Sequence, residues 1–424
     1  MRLLYVVHQF FPDCHSGTEQ YCLAAAREAQ RQGDEVTVLS LHWENHLERP
    51  PIRLFEAPYE GVRVIRLNHW RGLNPNDVLR DYENRHLDGW FQAVLDDVRP
   101  DAVHFFHLRQ LGSNLIAVAR RNGARTVVNL MDFWYLCPRF TLLRTDGALC
   151  AGPPDGGRGC VACEHPELGG VTPATGHAEL SDAPDQRLRA LLDRPQRQLA
   201  NLAQADAVIA PSHFLADLFA QNGLPRDRMQ VVPYGLEPGR IAPIPVERPR
   251  RPLRLGFCGV LSPWKAPHLA VEAVRDSDLD VRLTIHGRTA EPMFQDYIDG
   301  VMQGAAGDDR IHFPGPYAQA DAARVFADMD VLVVPSTWYE NTPFVVLEAF
   351  TAGVPVIASD LGGLSEAVRD GENGWLFAAG DVASLHAIIA RITADPGCFA
   401  ALRLAAPADI AHNYRVFRAA YQGS

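Results

Sequence analysis

Residues 335–349 read Pro335-Ser336-Thr337-Trp338-Tyr339-Glu340-Asn341-Thr342-Pro343-Phe344-Val345-Val346-Leu347-Glu348-Ala349. The apolar run just before them predicts a buried strand, and a helix is predicted to begin near Pro343, because proline suits the first helical turn. Glu340 then lies in the loop ahead of that helix, and Glu348 lies about one and a half turns inside it. The N–H groups of a first helical turn favour an anion such as phosphate, and the two oxygens of Glu348 suit a ribose diol.

The same alternation of strands and helices extends outward from this stretch. In the second half, apolar runs predict strands at Leu253–Cys258, Val281–His286, Arg310–Phe313, Val331–Val334 and Val354–Ala358. In the first half they predict strands at Arg2–His8, Val36–Ser40, Val62–Leu67, Ala102–His107, Thr126–Leu130, Ala207–Ala210 and Gln230–Val232. Nearly continuous apolar strands separated by helices predict parallel sheets built from right-handed βαβ units.

A proline-rich segment divides the chain. At 424 residues the chain is too long for one ordinary core, and residues 237–252 contain five prolines, which can continue neither a helix nor a central strand. We therefore predict two doubly wound α/β domains, 1–236 and 253–406, joined by a linker at 237–252. Residues 407–424 follow as a C-terminal tail.

Composition excludes some classes of protein. The chain has 40 basic and 51 acidic residues and a formal charge of −11, which argues against a duplex DNA binder, so we expect no nucleic-acid partner. The apolar run Met1–His8 is too short for a signal peptide, and no uncharged apolar stretch reaches the roughly 18 residues that span a bilayer. These patterns predict a cytoplasmic protein and leave peripheral contact with the inner face of a membrane open.

Glu340 and Glu348 belong to a longer pattern. Residues 340–348 resemble the E-x7-E motif of the retaining GT-B glycosyltransferases of family four, also described as glycosyl transferases group 1. Two glutamates eight apart on a solvated helix would mean nothing by themselves, but the surrounding match favours a functional pair. That match covers most of the chain and includes Pro211–Phe214, Val231–Gly235, Gly353–Ser359, Gly362-Gly363, Glu366 and Asp370–Phe377.

The resemblance implies a GT-B fold, in which two doubly wound Rossmann-like domains face each other across a cleft. Residues 1–236 would form the N-terminal, acceptor-side domain, and residues 253–406 the C-terminal domain that binds the nucleotide sugar. The tail would pack back on the N-terminal domain. The resemblance also implies a retaining, hexosyl-type transfer (EC 2.4) of the kind used in polysaccharide biosynthesis, with no cofactor or divalent metal needed for catalysis.

A loop after the first strand of the second half resembles the family's G-R-L-x-x-x-K-G phosphate loop, and it reads Gly259-Val260-Leu261-Ser262-Pro263-Trp264-Lys265. Lys265 would offer a mobile positive charge to the donor diphosphate. The sequence departs from the motif at Val260, which replaces an arginine, and at Ala266, which replaces a glycine. Arg288, after His286-Gly287, is a candidate to supply the missing diphosphate contact.

The resemblance assigns the remaining donor contacts. Glu340 would hold hydroxyls of the donor sugar and Glu348 the ribose, while the backbone near Tyr317 would meet the edge of the base. The start of the helix after Glu340 would add donor contacts from Asn341, Phe344 and Val345. In the first domain, Ser16-Gly17-Thr18-Glu19 resembles a Gly-Gly-x-Glu loop, in which Gly17 permits close approach to a phosphate or sugar.

Two strand ends of the first domain supply further candidates. His104-Phe105-Phe106-His107 resembles the family's H-x-H pattern with one extra residue, and His107 is the candidate of the two for the cleft. Asn129–Trp134 resembles a T-L-H-D-x-W segment in which Met131 stands at the histidine position, so Asp132 carries the remaining polar role. With Glu340, His107 and Asp132 are the predicted catalytic residues, and a buried structural role for the latter two remains open.

Four of the eight cysteines crowd into one region. Cys137, Cys150, Cys160 and Cys163 have the form C-x12-C-x9-C-x2-C, and the last spacing is that of a zinc knuckle. They lie in a Gly- and Pro-rich insertion at about 137–184 that is predicted to be irregular and without a core. Two hypotheses stay open: a structural zinc site, or free cysteines that are simply buried.

The expected partners are a UDP-sugar or GDP-sugar donor and an unidentified acceptor that offers a hydroxyl group. The acceptor is a glycan, a lipid-linked molecule or a small molecule. An alternative from a different class is a non-catalytic GT-B-like subunit of a glycosyltransferase complex, which the changes at Ser16, Met131 and Val260 favour. A nicotinamide oxidoreductase is disfavoured because neither first strand is followed by G-x-G-x-x-G, and a phosphorylase or epimerase on the same fold is a third alternative.

Overall fold

The computed structural model describes residues 1–42, 52–68 and 78–423. The chain folds into two compact units, one formed by Met1–Gly235 with Ile410–Ser424 and the other by Leu236–Asp409. Each unit is built on one largely parallel sheet, which confirms the predicted architecture of two α/β domains.

The first unit contains an eight-stranded sheet. Its strands are β1 (Arg2–Val7), β2 (Glu35–His42), β3 (Arg53–Glu56), β4 (Arg63–Asn68), β5 (Ala102–Phe105), β6 (Arg125–Asn129), β7 (Ala207–Ala210) and β8 (Met229–Val231), in the spatial order β3-β4-β2-β1-β5-β6-β7-β8. All neighbours are parallel except β3 and β4. In the centre, Leu3 of β1 lies opposite Val36 on one side and Ala102 on the other, and β1 is buried from Leu3 onward, as a strand covered on both faces requires.

Helices connect these strands. They are α1 (Gly17–Arg31), α2 (Val78–Tyr82), α3 (Asp88–Val98), α4 (Leu115–Arg121), α5 (Arg158–Glu164), α6 (Pro184–Leu202) and α7 (His213–Gln221). Helix α1 begins where the carboxylate of Glu19 accepts hydrogen bonds from the N–H and the hydroxyl of Ser16. This capping arrangement gives the serine that replaces the family's glycine a local structural reason.

The second unit contains a six-stranded parallel sheet. Its strands are β9 (Leu253–Cys258), β10 (Val281–His286), β11 (Ile311–His312), β12 (Val331–Val334), β13 (Val356–Ser359) and β14 (Gly374–Phe377), in the order β11-β10-β9-β12-β13-β14. Its helices are α8 (Pro267–Val274), α9 (Gln295–Gly304), α10 (Ala322–Ala327), α11 (Phe344–Thr351), α12 (Leu364–Ala367) and α13 (Val382–Ala394). Apolar side chains cover the sheet on both faces.

The C-terminal helix α14 (Ile410–Gln422) belongs to the first unit. Tyr421 Oη lies 2.7 Å from His104 Nδ1 on β5, and Asn413 Nδ2 donates to Pro233 O at 2.8 Å. These buried polar contacts join the last helix to the sheet, in the unit on which the tail was expected to pack.

Residues 237–252 lie within the second unit rather than forming a separate linker. They contain no helix or strand, as their prolines require. Arg248 Nε donates to Met329 O at 3.1 Å, and Arg250 Nε bonds to Asp330 Oδ1 at 2.9 Å, where Asp330 is fully buried. The arginines between the prolines therefore hold this segment against the second unit.

The insertion differs from its prediction. Residues 150–184 are not wholly irregular, because α5 and short 3-10 turns lie within them. Val161 and Leu168 pack with Leu188 and Leu191 of α6 and form a small apolar core. The many glycines and prolines of the insertion had led to the prediction that it has no core.

The predicted strands agree with the structure to within about two residues at each end. Strands β3 and β14 were not predicted as strands, and β11 is only two residues long. Strand β3 is a short, half-buried edge strand, so it has no continuous apolar run from which a strand could be predicted. Among the described residues, none of the helices combines the length and apolar character needed to cross a lipid bilayer.

Candidate functional site

Glu340 is the centre of a hydrogen-bonded cluster in the second unit. Strand β12 ends at Val334, and the following loop turns Glu340 inward, where its side chain is 7% exposed. Its Oε1 accepts hydrogen bonds from Lys265 Nζ at 2.5 Å, Ser336 Oγ at 2.8 Å and Trp338 Nε1 at 2.8 Å. Three donors on one oxygen hold the carboxylate in a single orientation.

Backbone packing fixes the loop that carries Glu340. Gly363 N donates to Glu340 O at 2.8 Å. A Cβ atom at Gly363 would lie 1.5 Å from the carbonyl oxygen of Asn341, so only glycine fits. The glycine in the Gly362-Gly363 motif therefore allows the loops after β12 and β13 to touch.

Lys265 lies in the loop between β9 and α8. Gly259 N donates to His286 O at 3.0 Å, and a Cβ atom on Gly287 would lie 2.5 Å from Gly259 O, so the loops after β9 and β10 are in close backbone contact. The Lys265 ammonium also lies 5.6 Å from the centre of the Trp338 ring. Its side chain is 24% exposed, so a ligand can reach this cation from solvent.

Lys265 is the only lysine in the sequence, whose other basic residues are all arginines. An ammonium is a compact charge that can move between partners, whereas arginine favours a fixed two-pronged contact. The sequence alone carries this signal, which singles out Lys265 independently of any motif.

Ala266 shows why the related motif has glycine at its position. Its backbone is left-handed, with φ of 50° and ψ of 46°, and it forms the N-cap of α8. A residue with a side chain in this conformation costs about 1–2 kcal/mol relative to a right-handed one. The loop therefore keeps the geometry that glycine favours, although alanine occupies it.

Glu348 is paired with an arginine that sequence reasoning missed. Arg240 Nε donates to Glu348 Oε1 at 2.7 Å, and Arg240 Nη2 donates to Gln319 Oε1 at 3.0 Å. Glu348 is buried, and burial raises the pKa of its carboxyl, while Arg240 opposes that rise. Arg240 lies in the segment predicted as a linker, and no motif marks it.

Tyr317 lies near this pair. Its hydroxyl lies near the buried thiol of Cys258, and its ring meets that of His286 edge-on at 5.5 Å. A cavity of about 750 Å³ adjoins it and is lined by residues that include Ile244, His286, Gly315, Pro316, Tyr317 and Asp321. The stretch predicted to meet a base thus borders a cavity of the size that small-molecule ligands use.

The other predicted donor residues of this unit divide into two groups. Asn341 is buried beside Glu340, and Phe344 and Val345 are the half-buried first residues of α11. Arg288 is exposed, and its side chain makes no ion pair with any residue that the structure describes. The contact of Arg288 with the donor diphosphate therefore stays a prediction.

In the first unit, His107 and Asp132 form a hydrogen-bonded pair. His107 Nε2 lies 3.0 Å from Asp132 Oδ2, and His107 Nδ1 accepts a hydrogen bond from Arg109 N at 3.2 Å. Since Nδ1 accepts, the proton of the neutral ring lies on Nε2 and is donated to Asp132. Trp134 N donates to the other oxygen of Asp132 at 2.8 Å. Asp132 is the more exposed member of the pair.

Aromatic rings surround this pair. The His8 ring lies 4.2 Å from the His107 ring and is tilted against it by 41°, and the Trp134 ring lies 5.5 Å from His107. Burial lowers the pKa of His8 well below its usual value, with His107 and Arg109 adding to the effect, so His8 is neutral at physiological pH. Met131 replaces the family's histidine, and its sulfur accepts a hydrogen bond from Tyr234 Oη at 3.6 Å.

Gly17 and His104 have different places in the first unit. Gly17 is the first residue of α1, next to the Ser16–Glu19 cap. His104 is fully buried and bonds to Tyr421 and to Asn129 Oδ1, the latter at 2.9 Å. His104 therefore acts as a structural link between β5, β6 and the last helix.

The four clustered cysteines are free thiols that line one cavity of about 150 Å³ in the first unit. Among the described residues, no three His, Cys, Asp or Glu side chains are grouped so that they could hold a metal ion. Zinc binding therefore stays a prediction at this point.

Comparisons with known proteins agree with this picture. A family model described as Glycosyltransferase Family 4 matches residues 15–240, and one described as Glycosyl transferases group 1 matches residues 252–395. The D-inositol 3-phosphate glycosyltransferase of Actinosynnema mirum is 33% identical over 242 residues, which cover 52% of this chain and 56% of that protein. That of Nocardia farcinica is 34% identical over 191 residues, 41% of this chain and 42% of that protein. The matched region thus spans only about half the length of these curated relatives.

Solved structures show the same fold. Anabaena HepE in complex with UDP and glucose has a TM-score of 0.61 and 18% identity, covering 99% of this chain and 95% of that one. Sucrose-phosphate synthase from Thermosynechococcus elongatus has a TM-score of 0.64 and 18% identity, covering 99% of this chain and 94% of that one. The expected two-domain GT-B fold is confirmed by these likenesses and by the two parallel sheets.

Proposed function

The chain belongs to glycosyltransferase family 4, and from this premise we propose that it transfers a sugar from a nucleoside-diphosphate sugar to an acceptor hydroxyl, with retention of configuration. One observation carries the proposal. Lys265 and Glu340 meet at the carboxyl ends of the neighbouring strands β9 and β12, directly ahead of the helix that bears Glu348. Ligands of open parallel sheets bind at that edge.

Lys265 is proposed to bind the donor diphosphate. A bound diphosphate offers its ammonium a second anionic partner, and Ser336 and Trp338 would keep Glu340 hydrogen-bonded when the lysine turns away. The bond between the anomeric carbon and the diphosphate oxygen then breaks, and negative charge grows on the leaving group. A positive charge placed in advance at that position stabilises the transition state more than the bound donor.

Glu340 and Glu348 are proposed to orient the donor. Glu340 would accept hydrogen bonds from hydroxyls of the sugar, and Glu348 from the ribose diol. Arg240 is a positioning residue in this scheme, because its guanidinium holds Glu348 and adds a second cation to a site where the related motif's arginine is replaced by Val260. The cavity beside Tyr317 would receive the base.

Retention follows if the acceptor oxygen attacks the anomeric carbon on the face from which the diphosphate departs. The new carbon–oxygen bond forms as the old one breaks, and the acceptor proton passes to a diphosphate oxygen, so no protein nucleophile is required. In the first unit, Asp132 is proposed to bind a sugar hydroxyl, with His107 as the positioning residue that holds it. We assign the transferred group as a hexosyl unit on the same family grounds.

The acceptor is proposed to be a polyol or a glycan hydroxyl, because the matched relatives from Actinosynnema mirum and Nocardia farcinica are named for transfer to D-inositol 3-phosphate. Inositol phosphates are therefore the first acceptors to test. Cytoplasmic location and peripheral membrane contact are parts of this proposal, and the second applies only if a lipid-linked acceptor is the substrate.

The test is a donor panel followed by product analysis. The full chain is heated with UDP, GDP, ADP, CMP and dTDP sugars in turn, and a donor at about 100 times its Kd should stabilise the fold by about 2.7 kcal/mol. The stabilising donor is then incubated with candidate acceptors, and proton NMR of the product reports its anomeric configuration.

We expect one nucleotide to stabilise the chain selectively, with release of its diphosphate and the donor's own configuration in the product. Inverted product would contradict retention while leaving transferase activity intact. A panel in which no nucleotide sugar binds or reacts would contradict the proposed function and favour a non-catalytic subunit.

A further inference from the structure

Four of the eight cysteines share one place in the first unit that the proposed transfer does not use. The hairpin from Leu142 to Cys150 returns the chain toward Cys137, since Cys150 N donates to Leu142 O at 2.8 Å. Cys160 and Cys163 lie one turn apart on α5. All four side chains line the same cavity of about 150 Å³, and the other four cysteines lie outside its lining.

The backbone around Cys137 is arranged to receive a thiolate. Burial raises the pKa of the Cys137 thiol, whereas the nearby backbone N–H groups of Leu142, Arg139 and Thr141 favour its thiolate. A thiol is a weak acceptor, whereas a thiolate bound to a metal accepts such N–H hydrogen bonds well and is oriented by them. The loop after Cys137 thus resembles the backbone surroundings of a metal-bound sulfur.

The buried guanidinium of Arg194, next to the cavity, would be stabilised by negative charge there. The guanidinium of Arg194 from α6 is 2% exposed and interacts electrostatically with Cys137 and Cys160. Its nearest carboxylate oxygen, on Asp81, is 3.8 Å away. Arg194 Nε and Nη1 are buried and have no hydrogen-bond partner in the described part of the chain. A buried charge is costly unless opposite charge balances it.

We propose that Cys137, Cys150, Cys160 and Cys163 bind one zinc ion as four thiolates in a structural site. Each thiol gives up its proton to solvent, and the complete site carries two net negative charges, which Arg194 partly balances. Four sulfur ligands close a tetrahedral site and leave no position for substrate or water.

Binding requires the thiols to turn into the cavity that they share. In the structure, Cys150 Sγ donates to Gly152 O at 3.0 Å, and no three of the described His, Cys, Asp or Glu side chains are grouped around a metal position. Deprotonation removes that donated hydrogen bond and releases Cys150 for a metal. The ion would then join α5 and the hairpin to the segment that also carries Asp132, five residues before Cys137.

The experiment measures zinc in the purified chain. The full chain is produced with an affinity tag that contains no histidine, in buffer with a thiol reductant and no chelator, and its metals are measured by mass spectrometry. We expect about one zinc per chain. Cys160→Ser and Cys163→Ser should lose most of it, whereas the matched controls Cys14→Ser and Cys398→Ser, which alter partly buried cysteines outside the cavity, should keep it.

A second measurement covers the case in which the serine variants fail to fold. Titration of the wild-type chain with a mercurial reagent should release zinc in step with reaction of the clustered thiols, and exchange with Co²⁺ should produce the intense visible bands of a tetrahedral thiolate complex. A wild-type chain with no zinc above background and no such Co²⁺ spectrum would overturn the proposal. Equal zinc loss in the control variants, or disulfides that link the four cysteines in reducing buffer, would overturn it as well.

Discussion

The two units hold their candidate residues in different ways. In the second unit, opposite charges meet directly: Lys265 with Glu340 and Arg240 with Glu348. In the first unit, a neutral histidine and a carboxylate, His107 and Asp132, lie among aromatic rings.

The two units differ in how the surroundings of the candidate residues treat electric charge. In the second unit the charged groups hold one another and the Lys265 ammonium remains reachable from solvent, as a site for a diphosphate requires. In the first unit, burial suppresses the charge of His8, which lies against His107. The second unit is therefore suited to stabilise charge, and the first to position neutral hydroxyls.

The largest effect is expected at Lys265. Lys265→Ala should lower transfer activity by about 10²–10³-fold, because it removes the only mobile cation proposed to stabilise the leaving diphosphate. Steady-state kinetics with the donor found in the panel measure this. Arg282→Ala is the matched control, since this exposed residue of β10 is not among the predicted donor contacts and should change activity by less than about threefold. Equal losses in both variants would show that the diphosphate is held differently.

Acid should weaken the first unit through His104. Burial lowers the pKa of His104 to about 3, so its imidazole stays neutral in the folded chain. In the unfolded chain the same imidazole takes up a proton near pH 6.5. The stability from neutral His104 is complete above that pH and is lost as the pH falls toward 3. Between pH 7 and pH 5 the loss is about 2 kcal/mol.

Hydrogen exchange of the amides in β5 and in β9 measures the acid sensitivity of the first and the second unit separately. Amides of β5 should lose protection on acidification more than those of β9. Glu348 in the second unit has a raised pKa, so its contribution to stability rises as the pH falls. His104→Gln should flatten the response of β5, and an unchanged slope in that variant would assign the acid sensitivity to other groups.

Glu348→Ala should raise the KM for the donor roughly tenfold or more, because it removes the proposed ribose acceptor. Arg240→Ala should have a smaller effect of the same kind. The double variant tests whether they act as a pair: the combined loss should be smaller than the product of the two single losses. Fully multiplicative losses would contradict the positioning role of Arg240.

The smallest effect is expected at Ala266, where the left-handed backbone is strained. Ala266→Gly should raise the free energy of unfolding by up to about 1 kcal/mol, since glycine adopts this conformation without penalty. Ala270→Gly, in the interior of α8, is the matched control and should lower it by a similar amount. Urea unfolding of both variants measures the difference, and destabilisation by Ala266→Gly would contradict the strain.

Sequence patterns predicted much of the second unit because its information is local. Glu340 and Glu348 lie within one strand–loop–helix stretch, and the strands around them are continuous apolar runs. Arg240 was missed, since its partner Glu348 is 108 residues away and prolines surround it without a recognisable motif.

The first unit was harder to predict because its decisive contacts join distant segments. His104 bonds to Tyr421, which is 317 residues later, and nothing in the local sequence distinguishes it from His107 as the structural histidine. The small core of the insertion likewise depends on Leu188 and Leu191 of α6, outside the glycine- and proline-rich segment. Local patterns cannot report such pairings.

The central claim is that Lys265 binds the donor diphosphate, and its status as the only lysine permits a direct measurement. A chain without added lysines is treated briefly with an amine-acylating reagent, with and without each nucleotide sugar, and mass spectrometry compares Lys265 with the Met1 amine, which bonds to Asp34. We predict that the donor protects Lys265 and leaves the Met1 amine unchanged. Acylation of Lys265 that is insensitive to a nucleotide sugar shown to bind the chain would contradict the account.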